Sequence, residues 1–217
     1  SITKIMTLYL AYEAVAAGRA HWTDRVRVSK KARHTGGSRM FLDENTSLTL
    51  GDLAAGTSIV SANDGAVAIA EYLAGSVENF VKLMNRKARE LGMNGTVFKN
   101  PHGLPAKGQT TTARDILKLS HSYLTTFPQA LLIHSQQTYT YHNITQYNRN
   151  RLLRKYPGAD GIKTGFIAKS GYNIAATAKR GDTRLIAVVL GAGTPGIRAR
   201  ETAKLLDEGF RRINGPG

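Results

Sequence analysis

Residues 161–166 read Gly161-Ile162-Lys163-Thr164-Gly165-Phe166, an edge-strand pattern that carries a cation, a hydroxyl and a glycine in succession. A glycine inside a strand lets another segment approach the backbone closely. Two other short pieces would complement it if the fold brought them there: Ser1-Ile2-Thr3-Lys4 and Ser61-Ala62-Asn63. Downstream, residues 172–178 and 184–190 are two further strand candidates, joined by the hairpin turn Arg180-Gly181-Asp182-Thr183. Links this short imply antiparallel neighbours, because parallel strands need a long crossover.

The first two thirds of the chain read differently. Residues 2–17 are apolar on nearly every side, which marks a buried helix. Ser1 stands at its N-cap or first turn. Residues 25–28 alternate as a short strand, and Gly36-Gly37-Ser38 is a loop. A short helix at 49–55 leads through residues 56–60 into Ser61-Ala62-Asn63, followed by a second apolar helix at 64–73. Ser76 caps a third helix at 77–91, with Glu78 near its start and Gly92 past its end. Thr112 with Asp115 is a capping-box-like start for a helix at 113–124. Residues 129–134 add a turn or two. A final helix runs from Pro195 to about residue 210, with Ala199, Ala203, Leu205, Leu206 and Phe210 facing the sheet. Helices followed by sheet give an α+β plan in a single domain. That plan has a helical lobe at about 30–135, a sheet region at about 138–192 and a C-terminal helix at 195–210. Residues 211–217 read as a linker or frayed end.

Composition narrows the chemistry. The 217 residues fit one domain with a real core. The net charge of +15 favours anionic surroundings, which include nucleic acid, membrane surfaces and wall polymers. The basic residues are scattered and no zinc-finger spacing is present, which argues against nucleic acid. With no cysteine there is no thiol catalysis, disulfide or cysteine metal site. The six histidines do not cluster, so neither a metal nor another cofactor is expected. No apolar run is long enough to span a membrane. The chain opens at Ser1, without Met, directly on a helix-like run, so a fragment or processed chain is expected and the missing signal peptide carries no weight.

Ser1 and Lys4, three apart on a helix, share a face. A serine needs a neighbouring base, and a lysine becomes one when burial and nearby positive charge lower its pKa. Lys163 would supply that second charge. Ser61 offers a proton relay to a leaving group, and Asn63 a contact to a substrate amide. The blander reading is that Ser61 and Asn63 cap the helix at Asp64, with Asp64 itself a cap or a buried partner. Lys163 and Thr164 suit a substrate carboxylate, and the strand edge suits an extended peptide. The N–H of Phe166 would join that of Ser1 as an oxyanion donor. Lysine on an edge strand also guards against aggregation, and Ser-x-x-Lys occurs by chance in many helices. His102-Gly103-Leu104 reads as structural.

In this order the three pieces form the set S-x-x-K, S-x-N and K-T-G of penicillin-recognising serine enzymes. With flanks such as GGSRMFL from Gly36, FKNPHGL from Phe98, TTARD from Thr111, DGIKTGF from Asp160 and SGYNIAATA from Ser170, the chain resembles the D-alanyl-D-alanine carboxypeptidases, serine peptidase family S11. The likeness runs from Ser1 to about Phe210. It implies a β-lactamase/transpeptidase-like fold, with Ser1 as acylated nucleophile, Lys4 as base and Ser61 as relay. It implies that Asn63, Lys163, Thr164, Gly165 and Phe166 meet the substrate. An arginine on the last helix, best matched by Arg198, assists its carboxylate, and Arg149 is a further substrate-side arginine.

The implied reaction is removal of terminal D-alanine from peptidoglycan stem peptides through an acyl-enzyme. β-Lactams would be covalent inhibitors, and an amine acceptor would turn the enzyme into a transpeptidase. No glutamate resembles the deacylation base of class A β-lactamases. A β-lactamase-like hydrolase and a non-catalytic binder of anionic wall polymer are the alternatives. The implied location is the periplasm or the outer face of the cytoplasmic membrane, with membrane association through segments outside this chain. Family members place sheet strands before the S-x-x-K helix, so a segment preceding Ser1 is expected, and without it the sheet would expose an edge. Ala62 stands where glycine is usual.

Overall fold

The computed structural model describes residues 1–215. At its centre is α1 (Lys4–Ala16), buried at Ile5, Met6, Leu8, Tyr9, Ala11, Tyr12 and Ala14 and also at Lys4 and Thr7. An apolar sequence on every side requires such a position, because no face of the helix is suited to water. A short hairpin follows, β1 (Arg25–Arg27) paired antiparallel with β2 (Ser47–Thr49), with α2 (Lys30–Arg33) between them.

The next helix, α3 (Leu50–Ile59), is capped by Thr49, whose hydroxyl accepts from the Asp52 N–H. It continues through residues 56–59, expected from the sequence as a link. The reason is packing against α4 (Asn63–Ala74). Met40 fills the seam between the two helices. A Cβ at Gly56 would meet its sulfur at 2.5 Å, and one at Gly65 would meet it at 3.2 Å. Gly56, read as part of a link, and Gly65, inside the expected helix, are therefore the places where the two helices close on a methionine.

Helices α5 (Val77–Glu90) and α6 (Ala113–Thr126) begin at the Ser76 and Thr112 caps read from the sequence. At α6 the box is half made. Thr112 Oγ1 accepts from the Asp115 N–H, but the Asp115 carboxylate reaches the Gly95 N–H and Thr96 Oγ1 instead. A 3-10 turn (Pro128–Ala130) leads into α7 (Leu131–His134).

The expected sheet region at 138–192 divides. Strands β3 (Thr138–Tyr141) and β4 (Ile144–Tyr147) form a separate hairpin. It is tied to the helical side by Tyr139 Oη to the Asp52 carbonyl and by Gln146 to the Arg39 carbonyl. After α8 (Leu152–Lys155) come β5 (Ala159–Ile167), β6 (Gly171–Arg180) and β7 (Thr183–Ala192), in the order β5-β6-β7 and all antiparallel. Strand alternation turns Ala175, paired with Lys163, into the helical core around α1, which Ile162 also joins. It sends Ile174, Ala176, Ala178 and Ala187 to the opposite face, against Leu152, Tyr156, Leu206 and Phe210. The sheet thus lies between two helical layers. Among the described residues β5 and β7 are its edges.

The last helix, α9 (Pro195–Asn214), runs four residues past the expected end at residue 210, and Arg212 pairs there with Glu208 at 2.6 Å. Arg211 is helical rather than linker, while Pro216 and Gly217 lie outside the described residues. Its inward face is Arg198, Thr202, Leu206 and Phe210. Leu205, expected on that face, is 46% exposed, because it sits one step off the four-residue repeat.

Candidate active site

Ser1 lies one tight turn ahead of α1 rather than inside it, since the Lys4 N–H bonds to the Ser1 carbonyl at 3.1 Å. The turn keeps the spacing of three and aims both side chains the same way. Lys4 Nζ is 3.1 Å from Ser1 Oγ, 3.0 Å from Ser61 Oγ and 3.0 Å from the carbonyl of His102. Ser61 Oγ in turn donates to Ser1 Oγ at 2.9 Å. Two hydroxyls and one amine, brought by two segments far apart in the chain, therefore touch one another. Ser61 adopts a left-handed backbone (φ 60), uncommon for a residue with a side chain.

The capping reading of Ser61 and Asn63 is not what the structure has. Helix α4 starts at Asn63, with Ala62 at the cap and no side-chain capping bond. Asn63 Nδ2 donates to the Gly36 carbonyl at 2.9 Å, and its buried Oδ1 has no partner among the described residues. A Cβ at Gly37 would lie 2.5 Å from Nδ2, so this loop must be glycine to seat the amide. Asp64 is the buried partner. Its carboxylate accepts from the Met40, Leu42 and Gly65 N–H groups. That pins the 36–42 loop beside the site.

Strand β5 forms the other wall. The segment that comes close to its glycine is the turn that leads into α1. A Cβ on Gly165 would lie 3.1 Å from Ile2 N and 3.3 Å from Ser1 Cβ. Gly165→Ala is expected to push Ser1 aside and slow its acylation about tenfold or more. Stopped-flow acylation by a chromogenic β-lactam would measure this, and an unchanged rate would show that the contact has slack.

Lys163 is buried with its ammonium donating to the Thr164 carbonyl at 2.9 Å. Burial, then Arg149 and Arg198, lower its pKa to about 7. Lys4 is held well below the ordinary lysine range by burial, then by Lys163 and Arg149. An unfolded chain keeps both protons to about pH 10. Above pH 7 the unfolded state therefore binds more protons than the folded one, and stability rises with pH. Between pH 7 and 9 Lys163 alone is expected to add about 2 kcal/mol. The urea midpoint at the two pH values tests this, with Lys163→Met flattening the slope. A midpoint that falls with pH would refute it.

A cavity of about 540 Å³ lies between the walls, lined by Ser1, Ser61, Asn63, Thr164, Gly165 and Phe166 among others. Phe166 is half exposed and stacks on Tyr172 at 4.3 Å. Arg198 also lines the cavity, with its guanidinium 5.6 Å from the Tyr172 ring centre. Arg149 is an exposed lining residue. All ten residues expected at the site thus lie in it or, for Lys4 and Lys163, directly beneath it. The sequence reads His102 as structural, yet its carbonyl holds Lys4. Its ring accepts from the Leu104 N–H, and burial followed by Lys4 lowers its pKa to about 4. A backbone carbonyl leaves no trace in a motif. Arg151 and Arg154 also line the cavity and were not singled out. Their only signal was closeness in sequence to Arg149. Among the described residues no cluster of His, Asp or Glu is suited to a metal ion.

The family model described as "D-alanyl-D-alanine carboxypeptidase" matches residues 1–194. The chain is 45% identical to D-alanyl-D-alanine carboxypeptidase DacC of Escherichia coli K12 over 97% of its own length and 54% of that protein's. It is 41% identical to DacF of Bacillus subtilis over 97% and 55% of the two lengths. Its structure is similar to penicillin binding protein 5 from Haemophilus influenzae, with a TM-score of 0.93 at 40% identity, covering 97% of this chain and 62% of that one. The α+β architecture is that of the penicillin-binding, transpeptidase-like fold. The chain spans about half the length of the curated relatives it matches. A family model covering most of the chain and relatives at this identity lead to one conclusion: the chain belongs to the D-alanyl-D-alanine carboxypeptidase family, serine peptidase family S11.

Proposed function

We propose that this chain is the catalytic domain of a serine-type D-Ala-D-Ala carboxypeptidase acting on peptidoglycan stem peptides. The observation that carries the reading is the three-way contact of Ser1, Lys4 and Ser61 at the floor of the cavity. A peptide laid along the free edge of β5 extends the sheet by one strand. Its terminal carboxylate meets Thr164 and Arg198 above Lys163, and the arriving anion restores the charge on Lys163. The unpartnered Asn63 Oδ1 accepts the N–H of a substrate amide. Neutral Lys4 takes the proton as Ser1 Oγ attacks the scissile carbonyl. Ser61 passes the proton to the leaving D-alanine amine. The N–H groups of Ser1 and Phe166 stabilise the oxyanion. Water then cleaves the ester by the reverse route.

Penicillins acylate the same serine. No carboxylate lines the cavity among the described residues, so the β-lactam ester lacks an adjacent deacylation base and persists. This favours a carboxypeptidase over a β-lactamase-like hydrolase. Stem peptides lie outside the cytoplasmic membrane, so the domain works in the periplasm or on that membrane's outer face. No described helix is long and apolar enough to cross a membrane, and any membrane association is assigned to parts of the protein outside this chain.

Incubation with a pentapeptide ending in D-Ala-D-Ala, with and without an amine acceptor, tests the reading. Free D-alanine as the sole product is the expected result. A new amide as the main product would make the domain a transpeptidase, and no release by protein that binds labelled penicillin on Ser1 would overturn the reading.

A further inference from the structure

Four arginines line the catalytic cavity, namely Arg149, Arg151, Arg154 and Arg198, and no aspartate or glutamate does so among the described residues. Arg149, Arg151 and Arg154 are exposed, and none makes an ion pair among the described residues. Two acids on the neighbouring elements β5 and α9 are engaged elsewhere. Asp160 takes both terminal nitrogens of Arg184 at 2.7 and 2.9 Å, and Asp207 accepts from Tyr156 Oη. Burial and then Arg151 lower the proton affinity of Arg198, so these guanidiniums sense one another. Like charges held together without a counterion cost free energy that an anionic ligand would offset.

Their place is fixed. Asn150 Nδ2 donates to the Gly161 carbonyl at 3.1 Å, and Asn150 Oδ1 accepts from the Leu152 N–H at 3.2 Å. The 148–152 backbone is thereby anchored to the first half of β5, beside Lys163. Phe166 and Ile167 lie at the other end of that strand. On the carboxypeptidase reading, on which this inference rests, the donor peptide occupies the Phe166 end and the leaving residue the Lys163 end. One carboxylate there is served by Thr164 and Arg198. Arg151 and Arg154 lie beyond what a D-alanine leaving group needs.

We propose that Arg151 and Arg154 form a second anion subsite on the leaving-group side, which takes a further carboxylate. That carboxylate belongs to an acidic leaving residue or to a dicarboxylic amine that replaces it. In the second case the amine nitrogen attacks the Ser1 ester and the carbonyl carbon–Oγ bond breaks. The amine proton returns through Lys4 to Ser1 Oγ, leaving a new amide and free enzyme.

The test compares release of the last residue from peptides ending in D-Ala-D-Ala and D-Ala-D-Glu, by the wild-type protein and by R151S/R154S. In parallel, D-glutamate and D-alanine compete with water for the acyl-enzyme. The double variant is expected to lose about tenfold more kcat/KM on the D-Glu peptide than on the D-Ala peptide, the worth of one charge-assisted hydrogen bond. R151K/R154K should recover much of that difference. Rising salt should erode the wild-type rate on the D-Glu peptide more than on the D-Ala peptide, which reads the subsite without any substitution. A selective loss in hydrolysis assigns the subsite to leaving residues, and one in aminolysis assigns it to acceptors. If R151S/R154S changes neither the ratio of the two peptides in hydrolysis nor the ratio of D-glutamate to D-alanine in aminolysis by more than twofold, the subsite is refuted alone. If wild type releases neither, the carboxypeptidase reading falls with it.

Discussion

Lys4→Ala is expected to slow acylation of Ser1 about a thousandfold, the scale of a lost general base. The amine it removes touches both hydroxyls of the site, at 3.1 and 3.0 Å, and among the described residues no histidine ring or carboxylate hydrogen-bonds either hydroxyl to replace it. Lys4→Arg should be no better, because a guanidinium does not give up its proton. The same substitution should not weaken the fold in proportion. A fully buried lysine beside Lys163 and Arg149 is poorly placed for its charged form, so removing it relieves a cost as well as a hydrogen bond. A melting temperature that holds or rises while activity collapses is the signature of a group retained for chemistry. An alanine variant that keeps more than about a tenth of the wild-type rate would mean that the proton leaves by another route.

The second large effect concerns the fold. Asp64→Ala is expected to cost about 4 kcal/mol, since its buried carboxylate accepts from the N–H groups of Met40, Leu42 and Gly65. Met40 and Leu42 are each 1% exposed, so their N–H groups would have no water to turn to. For a domain of this size the melting temperature should fall by about 10 °C. Asp64→Asn, which keeps an acceptor, should cost about half as much. A shift of less than about 2 °C for alanine would show that the 36–42 loop is held by something else. Because Asn63 grips the Gly36 carbonyl in that same loop, the alanine variant should also bind penicillin more slowly.

Much of the site could be read in the sequence because its parts are short and local. Ser1 with Lys4, Ser61 with Asn63 and Lys163 with Thr164 each sit at a spacing that one turn or one strand converts into a shared direction. Their meeting in space was legible only through the resemblance, since nothing in composition dictates that residues 1, 61 and 163 converge. Main-chain groups were invisible, as the His102 carbonyl against Lys4 shows. So was pairing beyond nearest neighbours. Residues 138–147 have strand-like composition, but alternation does not name a partner, and they pair with each other instead of joining β5 to β7. Residues 56–59 looked like a link because glycine and β-branched residues disfavour helix. The contact with α4 outweighed that weak preference.

The methionine wedged between α3 and α4 carries a liability. Its thioether sits where one added carbon on Gly56 would collide and one on Gly65 would crowd it, so the extra oxygen of a sulfoxide has little room there. Closed, the seam shields the sulfur from peroxide. Once oxidised during a transient opening, Met40 would prop the two helices apart and shift Ser61, which stands between their ends. Bleach or peroxide should therefore silence the domain at the rate at which it breathes, with methionine sulfoxide reductase restoring it.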